Sequence, residues 1–159
     1  MNAAIISLGS VSSEWTTKSM EKYFDDVDAL NLKKIEVRLG AEGGVLYSGR
    51  PLETYDCVYV KGSFRFANLQ RAVSALLWGK CYLPIQPNAF TIVHHKLLTH
   101  LELQRQGIPM PRTYMTSTTQ TAKHLLKEIS FPIVMKFPEG TQGKGVMFAD
   151  TILAGRVSI

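Results

Sequence analysis

The chain opens on a continuous apolar run, Ala3-Ala4-Ile5-Ile6-Ser7-Leu8, closed by Gly9. A short run without alternation predicts a strand buried on both faces, as in a parallel sheet. Ser12 or Ser13 offers an N-cap for a helix over Glu14 to Phe24, with Trp15, Met20, Tyr23 and Phe24 along one face. From Ile35 to Leu39 charged and apolar residues alternate, the mark of a half-exposed strand. Gly43-Gly44 turns into a short strand, Val45 to Tyr47, and Gly49-Arg50-Pro51 turns again. Cys57 to Val60 is a second buried strand, broken by Gly62. Leu69, Val73, Leu76 and Leu77 fall on a helical stripe that Gly79 stops. Tyr82-Leu83 starts a further strand before Pro84 and Pro87.

Strand and helix thus alternate with short connections over residues 1–88. That order predicts a small α/β domain with a largely parallel, Rossmann-like sheet. Gly9 is followed by Ser-Val-Ser-Ser, not by the Gly-x-x-Gly that a pyrophosphate needs, so no nicotinamide cofactor is expected. Pro84 to Phe90 reads as a linker. Beyond it, Thr91 to Gln106 predicts a helix with Leu97, Leu98, Leu101 and Leu103 as apolar positions and Gly107 as its stop. Arg112 to Met115 reads as a short strand, and Thr118 or Thr119 opens a helix ending near Ile129. Pro132 to Phe137 is a strand with its proline at the start, where a missing N–H is tolerated. Val146 to Ala149 is another.

Composition changes this picture little. The 159 residues are 45% hydrophobic and 19% charged, which excludes a mainly disordered chain. No apolar run reaches bilayer length. Met1 to Leu8 lacks the basic start of a secretory signal, so a cytoplasmic setting is expected. Cys57 and Cys81 match neither a zinc spacing nor a disulfide framework, and two reduced thiols are the expectation. Charge is more telling. Residues 1–56 carry a net −3 and residues 57–159 a net +8. A basic second half points to an anionic partner, either nucleic acid or a phosphate-bearing small molecule.

The chemistry concentrates in Pro138-Glu139-Gly140-Thr141-Gln142-Gly143-Lys144-Gly145, between the last two strands. Gly140 and Gly145 have the separation of a Walker A loop, but Val146 stands where its lysine is required. A glycine-rich hairpin does a related job: without Cβ atoms its backbone approaches phosphates closely and aims N–H groups at their oxygens. Protein kinases cover nucleotide phosphates with such a hairpin. Lys136 ends the apolar strand directly before the loop. A lysine there needs an anionic partner or an exit to solvent. The competing interpretation is a surface hairpin with a snorkelling lysine.

Other polar clusters carry weaker signals. His94 and His95 are adjacent and point apart, and no His-x-x-x-His pair with His100 or His124 seats zinc on one helical turn, so capping, solvent exposure or local hydrogen bonding is their expected role. Asp25-Asp26-x-Asp28 lacks the glycine and terminal glutamate of a calcium loop and reads as a solvated helix end. The serines near the start lack a nucleophile-elbow context. Phe64-Arg65-Phe66 mixes aromatic and basic residues as single-strand binders do, but burial against the following helix explains it better.

Residues 131–146, Phe-Pro-Ile-Val-Met-Lys-Phe-Pro-Glu-Gly-Thr-Gln-Gly-Lys-Gly-Val, resemble the phosphate-binding hairpin of ATP-grasp ligases, most closely the RimK-like branch of glutamate ligases. A second match lies 40 residues upstream of Lys136. His95-Lys96-Leu97-Leu98, followed by Gly107-Ile108-Pro109-Met110-Pro111, resembles the opening of the ATP-grasp domain. The resemblance implies a pre-ATP-grasp α/β domain over residues 1–88 and the start of an ATP-grasp domain over 89–159. It also implies a reaction, in which ATP phosphorylates a carboxylate, an amine attacks the acyl phosphate and an amide forms. Lys96 and Lys136 would hold phosphate, with Lys136 also near the adenine. Gly140, Thr141, Gln142, Gly143, Lys144 and Gly145 would close over the β- and γ-phosphates.

The resemblance further implies ATP as cosubstrate, and Mg2+ or Mn2+ held by carboxylates that no residue here matches. The acceptor would be a protein, a peptide or a small-molecule carboxylate. Only Thr-Ile-Leu-Ala-Gly-Arg-Val-Ser-Ile follows Asp150. The expectation is therefore an N-terminal fragment, inactive as a ligase alone and missing the acids that would offset its basic half. A truncated product, an interrupted gene or a shifted reading frame each accounts for it. A half-built sheet would favour self-association into a homo-oligomer. The alternative is a non-catalytic nucleotide-binding or interaction module. Nucleic acid is disfavoured as a partner and no membrane is expected.

Overall fold

The computed structural model describes residues 1–41, 43–140, 143 and 145–151. The chain divides into two compact units, Met1–Ile92 and Val93–Ile159.

In the first unit, β1 (Asn2–Ser7) is the middle strand of a parallel sheet of order β2-β1-β6, between β2 (Asp26–Asn31) and β6 (Cys57–Val60). Residues 3–7 are all buried, as the unbroken apolar run predicts. Residues on one sheet face, Ala4, Ile6, Leu30, Val58 and Val60, join Val73 and Leu77 in the main core. Val73 and Leu77 come from α2 (Ala67–Leu77), the helix that the leucine–valine stripe predicts. Gly79 takes φ +79° just beyond it, a conformation that suits glycine. β1 and β2 also contact α1 (Val11–Met20). Both faces of β1 are therefore covered, which is why it reads as an unbroken apolar run.

An antiparallel sheet of order β3-β4-β5 adds Val45 to this core. Its strands are β3 (Ile35–Arg38), β4 (Gly44–Tyr47) and β5 (Arg50–Pro51). The half-buried alternation of β3 agrees with its sequence. The unit ends on α3 (Ala89–Ile92), whose Phe90 is buried in the same core.

Several expectations need correction. The acidic segment Asp25-Asp26-x-Asp28 is no helix end: Asp26 and Asp28 lie in β2. Leu30 alone is buried in this edge strand, so its sequence carries no apolar periodicity. Ser10, not Ser12 or Ser13, holds the N-cap position of the first helix, without a side-chain capping bond, and the helix stops at Met20. Its expected apolar face is only partly inside: Met20 and Phe24 are half-buried, but Trp15 is 66% and Tyr23 76% exposed. The buried residue of α1 is Ser13, so a small side chain, not an aromatic stripe, meets the sheet. Tyr82 makes one parallel bridge to Cys57, and Tyr82-Leu83 is not a strand. Pro84 to Phe90 is not a free linker, because Phe90 belongs to the core and Ile85 packs against it. Phe64 and Phe66 are half-buried and Arg65 exposed, with Phe66 against the core. Cys57 and Cys81 are unpaired, and burial pushes both thiols up. No described helix is long and apolar enough to cross a membrane.

The second unit holds α4 (Lys96–Arg105), α5 (Thr119–Leu125) and an antiparallel hairpin of β7 (Ile133–Lys136) and β8 (Val146–Ala149). Gly107 ends α4 at φ +66°, and the Ile108 N–H returns to the Leu103 carbonyl at 3.0 Å. The Thr118 hydroxyl caps α5 by accepting from the Thr121 N–H. The expected helix over Thr91 to Gln106 is two helices, because α3 ends at Ile92 and α4 begins only at Lys96. Arg112 to Met115 forms no strand.

Candidate functional site

Strand alternation sets the hairpin's two sides. Ile133, Met135, Met147 and Ala149 are half-buried or buried. The other side carries Val134 opposite Phe148 and Lys136 opposite Val146. Val134 is 53% exposed and Phe148 64%, with Val146 and Lys136 also exposed. Three apolar side chains and one ammonium thus share an open face, where an ordinary solvated hairpin would place polar residues. Lys136 meets no carboxylate among the described residues.

The loop between the strands is closed at its base. The Phe137 N–H donates to the Gly145 carbonyl at 3.0 Å, and the Val146 N–H to the Gly143 carbonyl at 3.3 Å. Gly140, Gly143 and Gly145 take φ of +117°, +72° and +71°, which side chains rarely adopt. At Gly145 space decides as well: a Cβ would lie 2.4 Å from Cδ2 of Phe137. Thr141, Gln142 and Lys144, three of the expected loop residues, lie outside the described residues.

The start of α4 reaches this loop. The Lys96 N–H donates to the Pro138 carbonyl at 2.8 Å, and His95 forms an antiparallel bridge with Glu139. The half-buried Lys96 ammonium lies 3.5 Å from the carbonyl oxygens of both Glu139 and Gly140. Residues more than forty positions apart therefore share one site. Among the described residues Lys96 has no acidic partner either. An uncompensated ammonium beside a glycine-lined backbone suits a small polyanion.

One contributor escapes sequence reasoning: Phe137 fills the space that forces glycine at 145. His95 caps α4, in line with the capping or local bonding expected of the histidines. The other histidines are engaged elsewhere: His100 Nδ1 lies 3.1 Å from the Thr113 hydroxyl, and His124 lies 3.2 Å from Glu128.

Residues 93–156 match the family model of the RimK-like ATP-grasp domain. The second unit belongs to the RimK-like ATP-grasp family. Relatives extend the likeness along the chain. A probable alpha-L-glutamate ligase of Maridesulfovibrio salexigens is 33% identical over 67% of this chain and 36% of its own length. One from Xanthomonas oryzae pv. oryzae is 29% identical over 98% of this chain and 55% of its own. The chain thus spans between about a third and about half of these relatives. The fold agrees with the RimK domain ATP-grasp protein of Sphaerobacter thermophilus, at TM-score 0.70 and 15% identity over 97% of this chain and 55% of that one. It also agrees with the ATP-grasp ligase PsnB, solved with a minimal precursor, Mg and ADP, at TM-score 0.62 and 14% identity over 94% and 57%.

Proposed function

We propose that this chain carries the phosphate-gripping part of an ATP-dependent carboxylate–amine ligase of RimK type. The observation that carries the reading is the Lys96 ammonium held beside the backbone of the glycine loop. In the reaction, a carboxylate oxygen attacks the γ-phosphorus and ADP leaves. An amine then attacks the acyl carbon, phosphate leaves and an amide remains. The residues named here act on the nucleotide. Lys96 and Lys136 neutralise phosphate oxygens, and the N–H groups of Gly140, Thr141, Gln142, Gly143, Lys144 and Gly145 close over the β- and γ-phosphates. The open face of Val134, Val146 and Phe148 offers the adenine an apolar bed next to Lys136.

Residues 1–92 would be the Rossmann-like pre-ATP-grasp domain that precedes it. Glutamate is the amino acid suggested by the relatives' names, and the acceptor would be a protein, a peptide or a small-molecule carboxylate. Mg2+ is bound in the PsnB complex. Among the described residues no three His, Cys, Asp or Glu side chains gather to hold a metal ion. Because the relatives extend well beyond the aligned part, residues 1–159 alone are expected to bind nucleotide without forming an amide.

Calorimetric titration with ADP tests this reading. The chain should bind, and Lys96→Met should weaken binding at least tenfold, about 1.4 kcal/mol. Absence of ADP binding would overturn it. Steeply salt-dependent binding to polyanions, unchanged by Lys96→Met, would favour an interaction module that uses the net +8 of residues 57–159.

A further inference from the structure

We propose that His95 is the positioning residue of this site, acting on nucleotide through Lys96. The proposal rests on the phosphate-binding reading above. Two features of His95 converge on its neighbour. Its Nδ1 accepts from the Leu98 N–H at 3.4 Å and so caps the first turn of α4. Its backbone pairs with Glu139 on the loop. Lys96 is the first residue of α4, with its own N–H tied to the Pro138 carbonyl. The direction in which the Lys96 side chain leaves the helix is therefore set by where α4 begins. The cap at His95 sets that start.

The chemistry of the cap is specific. An N-cap needs a short side chain that presents a lone pair to the N–H two or three residues on. Imidazole does this only through Nδ1 with the ring proton on Nε2, the tautomer that this geometry assigns. Further support for the turn comes from the main chain, where the His95 carbonyl accepts from both the Thr99 N–H at 3.0 Å and the Thr99 hydroxyl at 3.2 Å. These bonds hold the second half of the turn without the imidazole. Losing the ring should therefore loosen Lys96 and leave the helix standing.

The prediction separates positioning from mere structure. Asparagine is a good N-cap and replaces the Nδ1 lone pair with a carbonyl oxygen; alanine and glutamine do not cap. ADP affinity of the 159-residue chain is measured for wild type, His95→Ala, His95→Gln and His95→Asn, each with Lys96 intact and with Lys96→Met. The alanine and glutamine variants should bind ADP about fivefold more weakly, the size of one lost cap. The asparagine variant should stay within about twofold of wild type. On the Lys96→Met background all three should be silent, because the residue through which His95 acts is gone. If His95→Ala does not fold, the glutamine variant carries the same comparison. Equal losses with and without Lys96 would overturn the positioning role, as would failure of asparagine to rescue. Wild type that binds no ADP, or Lys96→Met that binds as wild type, would instead overturn the phosphate-binding reading itself.

Discussion

The two ends of the chain use similar material to opposite ends. In β1 and β6, four- to six-residue apolar strands are covered on both faces, and their side chains are almost all buried. The β7–β8 hairpin is just as apolar, yet Val134, Val146 and Phe148 stay exposed around Lys136. In the first unit apolar residues build the domain. In the second, three of the hairpin's seven apolar side chains are held at the surface, while those on its other face are buried or half-buried. Apolar patterning marks a strand in both places; only the exposed side marks a place for something to bind.

That contrast breaks most sharply by mutation. Leu77→Ala, in the covered core of the first unit, should cost about 2–5 kcal/mol through lost burial and the cavity left behind. Phe148→Ala should cost under about 1 kcal/mol, because its ring is already largely in water. The same change should weaken ADP binding several-fold. Urea unfolding followed by tryptophan fluorescence checks the first value, since Trp15 and Trp78 both belong to the first unit. Circular dichroism checks the second. Equal stability losses would erase the distinction between the two regions.

Gly145→Ala sharpens it within the second unit. The left-handed backbone costs alanine about 1–2 kcal/mol, and its methyl would also displace the Phe137 ring. Loss of ADP binding with a modest fall in melting temperature is expected. Adding Phe137→Ala should restore binding in part, because it removes the contact and leaves the φ penalty. Full rescue would show that space alone requires glycine; no rescue would show that the backbone does.

The legible parts of the chain are those where burial imposes a period. β1 and β6 stand out because both faces are covered, and α2 because Val73 and Leu77 share one buried face. β2 was hidden because an edge strand with Leu30 alone inside has the composition of a solvated turn. α1 misled for a related reason: Trp15 and Tyr23 look like core residues, but the sheet accepts only the small Ser13 there. At the site, glycines and lysines announce themselves by type. The pairing of Lys96 with Gly140 is written in no local spacing, and only the family resemblance puts both residues at one phosphate site. Phe137 is not legible in the sequence, because a steric wall is a role that many residue types can fill.

A smaller effect concerns the acidic edge strand. The Tyr55 hydroxyl donates to Asp28, and its pKa is pushed up to about 12, first by burial and then by Asp28. A raised folded-state value means the stabilisation is complete below the unfolded pKa near 10 and is lost as pH rises through about 12. In a spectrophotometric titration one of the six tyrosines should ionise about two pH units late. Tyr55→Phe should remove that late step and cost about 1 kcal/mol at neutral pH. A late step that survives the substitution would assign it to another tyrosine.

The smallest expected change has the opposite sign. Ser74 lies on the buried face of α2, 1% exposed, and its hydroxyl has no hydrogen-bond partner among the described residues. Burying such a group without a partner costs about 1–3 kcal/mol, and serine is a poorer helix former than alanine by about 0.5 kcal/mol. Ser74→Ala removes both penalties and leaves a void no larger than one oxygen. The methyl keeps contact with the surrounding core, so little packing is lost in exchange. The variant should therefore be more stable than wild type by about 0.5–1.5 kcal/mol, read by urea unfolding on tryptophan fluorescence. A destabilised variant would mean that the hydroxyl has a partner in solution, such as a buried water, and that the first unit's core is less dry than its apolar lining implies.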